Sequence, residues 1–141
     1  MRFEDIQLGQ KASISKLATN SDILALADVT LDRNPVHLDE VFASQTRFRG
    51  RIVHGILAVG LISAVLGTKL PGPGTIYLSQ QVRFLAPVRP GDMLTAVVEV
   101  TALRPEKQIV TLKTECYNQD NQTILTGEAV VLVEQISEQE K

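Results

Sequence analysis

The chain has 141 residues, 44% apolar and 21% charged, with a formal charge of −2 and a pI near 5.7. That composition suits one domain spanning residues 1–141 and lacks the basic footprint of a nucleic-acid binder. One cysteine, Cys116, excludes an internal disulfide; Glu4 and Asp5 occupy the place of a leader's apolar core; and the apolar run Ile56 to Leu66 falls short of the ~20 residues needed to span a bilayer, so a soluble, cytoplasmic protein without a membrane partner is expected.

Lys11 to Leu17 alternates loosely and reads as a short strand. Thr19-Asn20-Ser21-Asp22 carries a hydroxyl three residues before an acid, a helix-start signal. The helix it opens runs through Ile23, Leu24, Ala25, Leu26, Ala27 and Val29 and stops before Asp32, because Asn34-Pro35 disfavours helical geometry just upstream. Asp39 can cap a second short helix from Glu40 to about Gln45, followed by a basic loop from Arg47 to Arg51. His54 to Gly67 is apolar on every side, which predicts a helix buried all round. Leu70-Pro71-Gly72-Pro73-Gly74 ends it.

After Gly74 the period changes to two. Ile76, Leu78, Val82 and Phe84 form one face of a strand, with Gln80 as the polar exception. Met93 to Leu103 follows the Pro90-Gly91-Asp92 turn. Val110, Leu112, Thr114 and Cys116 form a face of the next strand, and Leu125, Gly127, Ala129, Val131 and Val133 a face of the last. Short polar connections at Arg104 to Lys107 and Asn118 to Asn121 suit hairpins. Four consecutive hairpin-linked strands after one apolar helix predict an α+β domain in which a curved antiparallel sheet wraps that helix. Exposed sheet edges predict a symmetric dimer. Glu134 to Lys141 is charged and expected to fray.

The only two histidines lie in Asp32-Arg33-Asn34-Pro35-Val36-His37 and in Ile52-Val53-His54-Gly55. A spacing of five would place Asp32 and His37 on different sides of a regular helix, but a Pro turn can bring them to one side, with Asn34 holding the turn. A carboxylate beside an imidazole can move protons near neutral pH. The same residues also suit a plain turn. Gly55, at a helix start, offers an N–H that a ligand carbonyl can approach closely, as an oxyanion requires; it also suits tight packing, with His54 a polar residue at the helix entry. Cys116 reads as a packed core thiol. Two histidines and one cysteine show no metal-ligand spacing.

The run Thr30-x-Asp32-x-Asn34-Pro35-Val36-His37-x5-Ala43 resembles the hydratase-2 motif of the MaoC-like, (R)-specific enoyl-CoA hydratases. Phe3-Glu4-Asp5, Ile52-Val53-His54-Gly55, Leu70-Pro71-Gly72-x-Gly74-x-Ile76-Tyr77, Pro90-Gly91-Asp92 and Thr126-Gly127-Glu128-Ala129 follow in the family's order, so the resemblance covers nearly the whole chain. The likeness is greatest to the short, single-domain hydratases that supply polyhydroxyalkanoate synthesis. Leu31 stands where many members have glycine, and Leu26 where an aromatic is usual.

The resemblance implies a hot-dog fold, a homodimer, and reversible hydration of a trans-2-enoyl-CoA to an (R)-3-hydroxyacyl-CoA without a cofactor or metal. It places the catalytic acid and imidazole on Asp32 and His37, the oxyanion donor on Gly55, and supporting roles on Asn34, Ser63 and His54. Arg47, Arg49 and Arg51 are candidates for the CoA phosphates. Leu26, Ile62, Val65 and Leu66 are candidates for the acyl pocket. Two rivals remain: a hot-dog acyl-CoA thioesterase, and a non-catalytic dimer that binds acyl thioesters.

Overall fold

The computed structural model describes residues 1–134; most of the terminal stretch expected to fray, from Gln135 on, lies outside them. Strand β1 (Lys11–Leu17) leads into α1 (Asn20–Thr30), then the short α2 (Pro35–Leu38) and α3 (Glu40–Ser44), and then the long α4 (Ile56–Thr68). Strands β2 (Thr75–Phe84), β3 (Met93–Arg104), β4 (Ile109–Tyr117) and β5 (Thr123–Val133) follow. The cap signals act as read. Thr19 and Asp22 form a reciprocal capping box at α1, and Asp39 accepts the Phe42 N–H at α3. The one-turn α2 replaces the simple Pro turn expected there; Asn34 caps it and Pro35 supplies its preset φ.

The five strands form one antiparallel sheet in the order β1-β3-β4-β5-β2. Only β3, β4 and β5 follow one another as hairpins. The expected hairpin from β2 to β3 is absent: β2 pairs with β5, at the opposite edge from β1. The Leu85 to Asp92 link contains Pro87 and Pro90, which lack N–H donors for a tight two-strand turn. It crosses the sheet's end instead, bridging Val53 through Val88 and bonding Ala18 through the Asp92 carbonyl.

The sheet's inner face carries Leu94, Ala96, Val98, Val110, Leu112, Thr114, Cys116, Leu125, Ala129 and Val131, all buried as the period-two pattern required. Helix α4 lies against β1, β2, β3 and β4, inserting Ala58, Leu61, Ile62, Val65 and Leu66 into that face. This is the hot-dog arrangement. Two expectations about it need correction. The helix is not buried all round: Ile56 is 49% exposed, and Gly60 and Ser63 are exposed too, because the single chain's sheet covers only one side of it. In β2 the alternation changes phase at a bulge between Tyr77 and Ser79. The bulge leaves Ile76 and Leu78 exposed and turns Tyr77, which pairs with the buried Val131, to the inner face.

Tyr77, Gln80 and Thr114 then form a hydrogen-bonded chain that satisfies the buried threonine. At the β2–β5 seam, a Cβ on Gly127 would lie 1.9 Å from the Gln81 carbonyl oxygen. Gly127→Ala is therefore expected to lose roughly 2–3 kcal/mol of stability in urea unfolding, as overpacking does. A loss near zero would mean that β2 can move off β5 at no cost.

Candidate active site

The site is assembled where α1 ends. Leu31 sits at φ 67°, a left-handed conformation that glycine adopts more easily than leucine. This gives a physical reason for the glycine common in the motif. The turn places Asp32, whose N–H donates to Thr30 Oγ1 (3.1 Å) while the Thr30 hydroxyl donates to the Leu26 carbonyl. Asn34 donates its N–H to Asp32 Oδ1 (3.2 Å) and accepts the Val36 N–H on its own Oδ1 (3.1 Å). It thus holds both the turn and the carboxylate, with Pro35 starting α2.

Helix α2 presents His37, which is buried, with its Nε2 3.9 Å from Asp32 Oδ2. That separation is too long for a direct hydrogen bond and suits a bridging water. His37 Nδ1 lies 2.8 Å from the Ile52 carbonyl, and His54 Nε2 lies 2.9 Å from the Asp32 carbonyl. Carbonyl oxygens only accept, so in the neutral rings His37 carries its proton on Nδ1 and His54 on Nε2. The basic nitrogen of His37 is then the one facing Asp32. The two imidazoles stack at 3.8 Å between centroids and 26° between planes.

Asp32, His37 and His54 have potential ligand atoms within 4.8 Å of one another. The near-parallel rings point their in-plane lone pairs side by side rather than at a common centre, so this grouping is poorly shaped for one metal ion. Cys116 is fully buried, and burial pushes its thiol up to about 11, which suits packing rather than nucleophilic chemistry.

A cavity of about 650 Å³ opens beside the pair, lined by His37, Arg47, Phe48, Gly55, Ile56 and Phe84 among others. Gly55 is the N-cap of α4, and its N–H and that of Ile56 have no acceptor among the described residues. A Cβ on Gly55 would meet the Phe84 ring at 2.9 Å, so a larger residue there has to push that half-exposed ring aside, although the dihedral angles would accept one. Phe84, Phe48 and Ile52 were not singled out from sequence. For Phe84 the signal was present, as the last apolar residue of β2. Ile52 contributes a backbone carbonyl, which no side-chain pattern reveals.

The remaining predicted residues are more dispersed. Arg47 lines the cavity and Arg49 lies in the same loop. Arg51 is occupied by the scaffold: its Nε pairs with Glu40 (3.3 Å) and its Nη1 donates to Asn20 Oδ1 (2.8 Å). Ser63 lies on the exposed side of α4. Leu26 is half-buried on α1, whereas Ile62, Val65 and Leu66 are packed in the core and do not border the cavity.

Comparison with known proteins agrees with this architecture. The (R)-specific enoyl-CoA hydratase of Rhodospirillum rubrum is 51% identical over 93% of this chain and 90% of its own length. The 3-hydroxybutyryl-CoA dehydratase of Methylorubrum extorquens is 48% identical over 93% of this chain and 83% of its own. The solved structure of the (R)-hydratase from A. caviae involved in PHA biosynthesis superposes with a TM-score of 0.90 at 46% identity, covering 93% of this chain and 99% of that one. The profile of the MaoC-like domain matches residues 4–123, and the chain belongs to that family.

Proposed function

We propose that this protein is an (R)-specific enoyl-CoA hydratase, acting as one domain in the cytoplasm and interconverting trans-2-enoyl-CoA and (R)-3-hydroxyacyl-CoA. The observation that carries the reading is the 3.9 Å opening between Asp32 Oδ2 and His37 Nε2, next to a cavity that both His37 and Gly55 line. The identities to a hydratase and a dehydratase support the same reaction, which is one equilibrium approached from two sides.

In the hydration direction one water sits beside the two atoms, within hydrogen-bond reach of both. Its oxygen bonds to C3 as His37 Nε2 takes a proton, and the C2–C3 π electrons move toward the thioester oxygen. The Gly55 N–H, at the positive end of α4, meets the negative charge that develops there. The Asp32–His37 pair then returns one proton to C2, with Asp32 delivering or relaying it. Its net protonation is unchanged, and the thioester bond never breaks. Asn34 keeps the carboxylate oriented.

Arg47 and Arg49 are the arginines proposed for the CoA phosphates; the ties of Arg51 to Glu40 and Asn20 suit a scaffold role. Leu26, Ile62, Val65 and Leu66 do not border the cavity as it stands; they are proposed as packed residues behind its lining, whose truncation would deepen it for the acyl tail. The β2 edge and the open side of α4, with Ile56, Ile76 and Leu78 exposed, are proposed to be covered by a second copy in a homodimer, which would also enclose Ser63 within the site's water network.

Purified protein should remove the enoyl absorbance of C4 to C12 enoyl-CoAs and yield the (R)-3-hydroxy product without releasing free thiol. Free CoA would instead identify a thioesterase, and binding without turnover a non-catalytic thioester binder. Asp32→Asn and His37→Ala should each lower kcat by about 10²–10⁴ while the fold is kept. Gly55→Ala keeps the N–H but sets a methyl group against Phe84 and the thioester's approach, and should lower kcat by up to about 10²–10³. Val65→Ala or Leu66→Ala should shift the chain-length profile toward longer substrates; an unchanged profile places the tail elsewhere. Sedimentation should give twice the 15.4 kDa chain mass, falling to the single mass in Leu78→Asp. A monomer in the unaltered protein rejects the dimer.

A further inference from the structure

We propose that His54 is a positioning residue: as its Nε2–H tautomer it clamps the backbone carbonyl of Asp32, while the face of its ring supports His37. The inference rests on reading Asp32 and His37 as the reacting pair, and it gives the second histidine a defined task within that pair.

His54 is 2% exposed, so its ring has one fixed orientation. Its Nε2 reaches the Asp32 carbonyl across 22 residues of sequence, and its ring lies on that of His37. A single side chain therefore touches both members of the pair without bordering the cavity. The segment that carries it is itself anchored. Ile52 donates its N–H to the Val36 carbonyl (3.2 Å), Val53 donates to the Val88 carbonyl (2.8 Å), and Val53 and Val88 form an antiparallel bridge. Residues 52–54 thus tie the turn after α1 to the link between β2 and β3.

Asp32 needs such an anchor. The residue before it, Leu31, is held in the left-handed region, and the carboxylate itself is half exposed. Thr30 Oγ1 accepts the Asp32 N–H and the Asn34 N–H orients the carboxylate, but among the described residues the Asp32 carbonyl is held by His54. Loss of that bond would let the turn relax and change the 3.9 Å opening.

His54 Nδ1 supplies an independent observation: it is buried and has no hydrogen-bond partner among the described residues. A proton there would be a buried donor with no acceptor, which favours the tautomer that serves Asp32. The orphan acceptor makes no bond of its own, so the polar contact this ring does make is the one through the opposite nitrogen.

The test combines two variants with a spectroscopic reading. Nitrogen-15 NMR of the unaltered, substrate-free protein should show His54 protonated on Nε2 and His37 on Nδ1. His54→Phe keeps a flat ring against His37 and deletes the donor. It should still fold, with a somewhat lowered Tm, lose about 10- to 100-fold in kcat through misplacement of Asp32, and change KM by less than about twofold. His54→Gln, whose amide can reach the same carbonyl, should recover most of the lost kcat. Full activity in His54→Phe, equal loss in both variants, or an Nδ1-protonated His54 would overturn the proposal. If His54→Phe does not fold, the tautomer and the glutamine variant decide. Absence of hydratase activity in the unaltered protein would reject the proposed function, whereas the tautomer is read without substrate and separates the two failures.

Discussion

Two imidazoles lie face to face, and each bonds a backbone carbonyl through one nitrogen. This constraint organises the site. The carbonyl of Ile52 takes the Nδ1 proton of His37 and leaves Nε2 unprotonated in the neutral ring, as the proposed base. The carbonyl of Asp32 takes the Nε2 proton of His54 and fixes the turn that presents the carboxylate. Backbone groups thereby set both tautomers, and the His37 nitrogen left facing the carboxylate is the one the proposed reaction uses. The arrangement depends on the link between β2 and β3, because Val53, which lies between Ile52 and His54, is bridged there to Val88. It also depends on the short helices, because α2 must begin at Pro35 for His37 to reach back to residue 52.

Much of this was legible in the sequence where one physical rule dominated. The inner faces of β4 and β5 could be read residue by residue, since one side of each strand had to be dry. Thr19, Asp22 and Asp39 announced their helix starts because capping depends on local chemistry. The placement of β2 was not legible. Sequence order suggested a hairpin to β3, and nothing local reveals that β2 joins β5 at the far edge. The bulge near Leu78 was likewise hidden, because an extra residue changes which face each side chain occupies without changing composition. Helix α4 misled for another reason: apolar residues on every side state that every side is wanted dry, but not that one chain supplies all the cover.

The site shows the same division. The motif held Asp32, Asn34 and His37 within six residues, so its turn could be argued from sequence. The contact between His54 and Asp32 spans 22 residues and uses a backbone oxygen, and the Phe84 ring over Gly55 comes from a strand 29 residues away. Those contacts belong to the tertiary fold. Leu31 lies between the two cases. Its departure from glycine was visible, and the structure supplies the reason for the preference, a positive φ that the chain accepts within an otherwise well-bonded turn.

The cavity's size adds a final constraint on how such a site works. At about 650 Å³ it has room for on the order of twenty waters, whereas the opening between Asp32 and His37 suits one. A reaction that adds a single water to C3 gains nothing from the others, because bulk solvent would weaken the pull of the Gly55 N–H on the developing charge. Most of that water has to be displaced, and the described side chains lining the cavity leave its displacement to the substrate. The apolar members of that lining, Phe48, Ile56 and Phe84, favour an acyl thioester as the body that fills it. In the proposed mechanism the water beside Asp32 and His37 remains because a polar group on each side can hold it. Binding and the proposed chemistry would then be linked through one act of drying: the substrate's apolar part empties the cavity, and the polar pair retains the reactant.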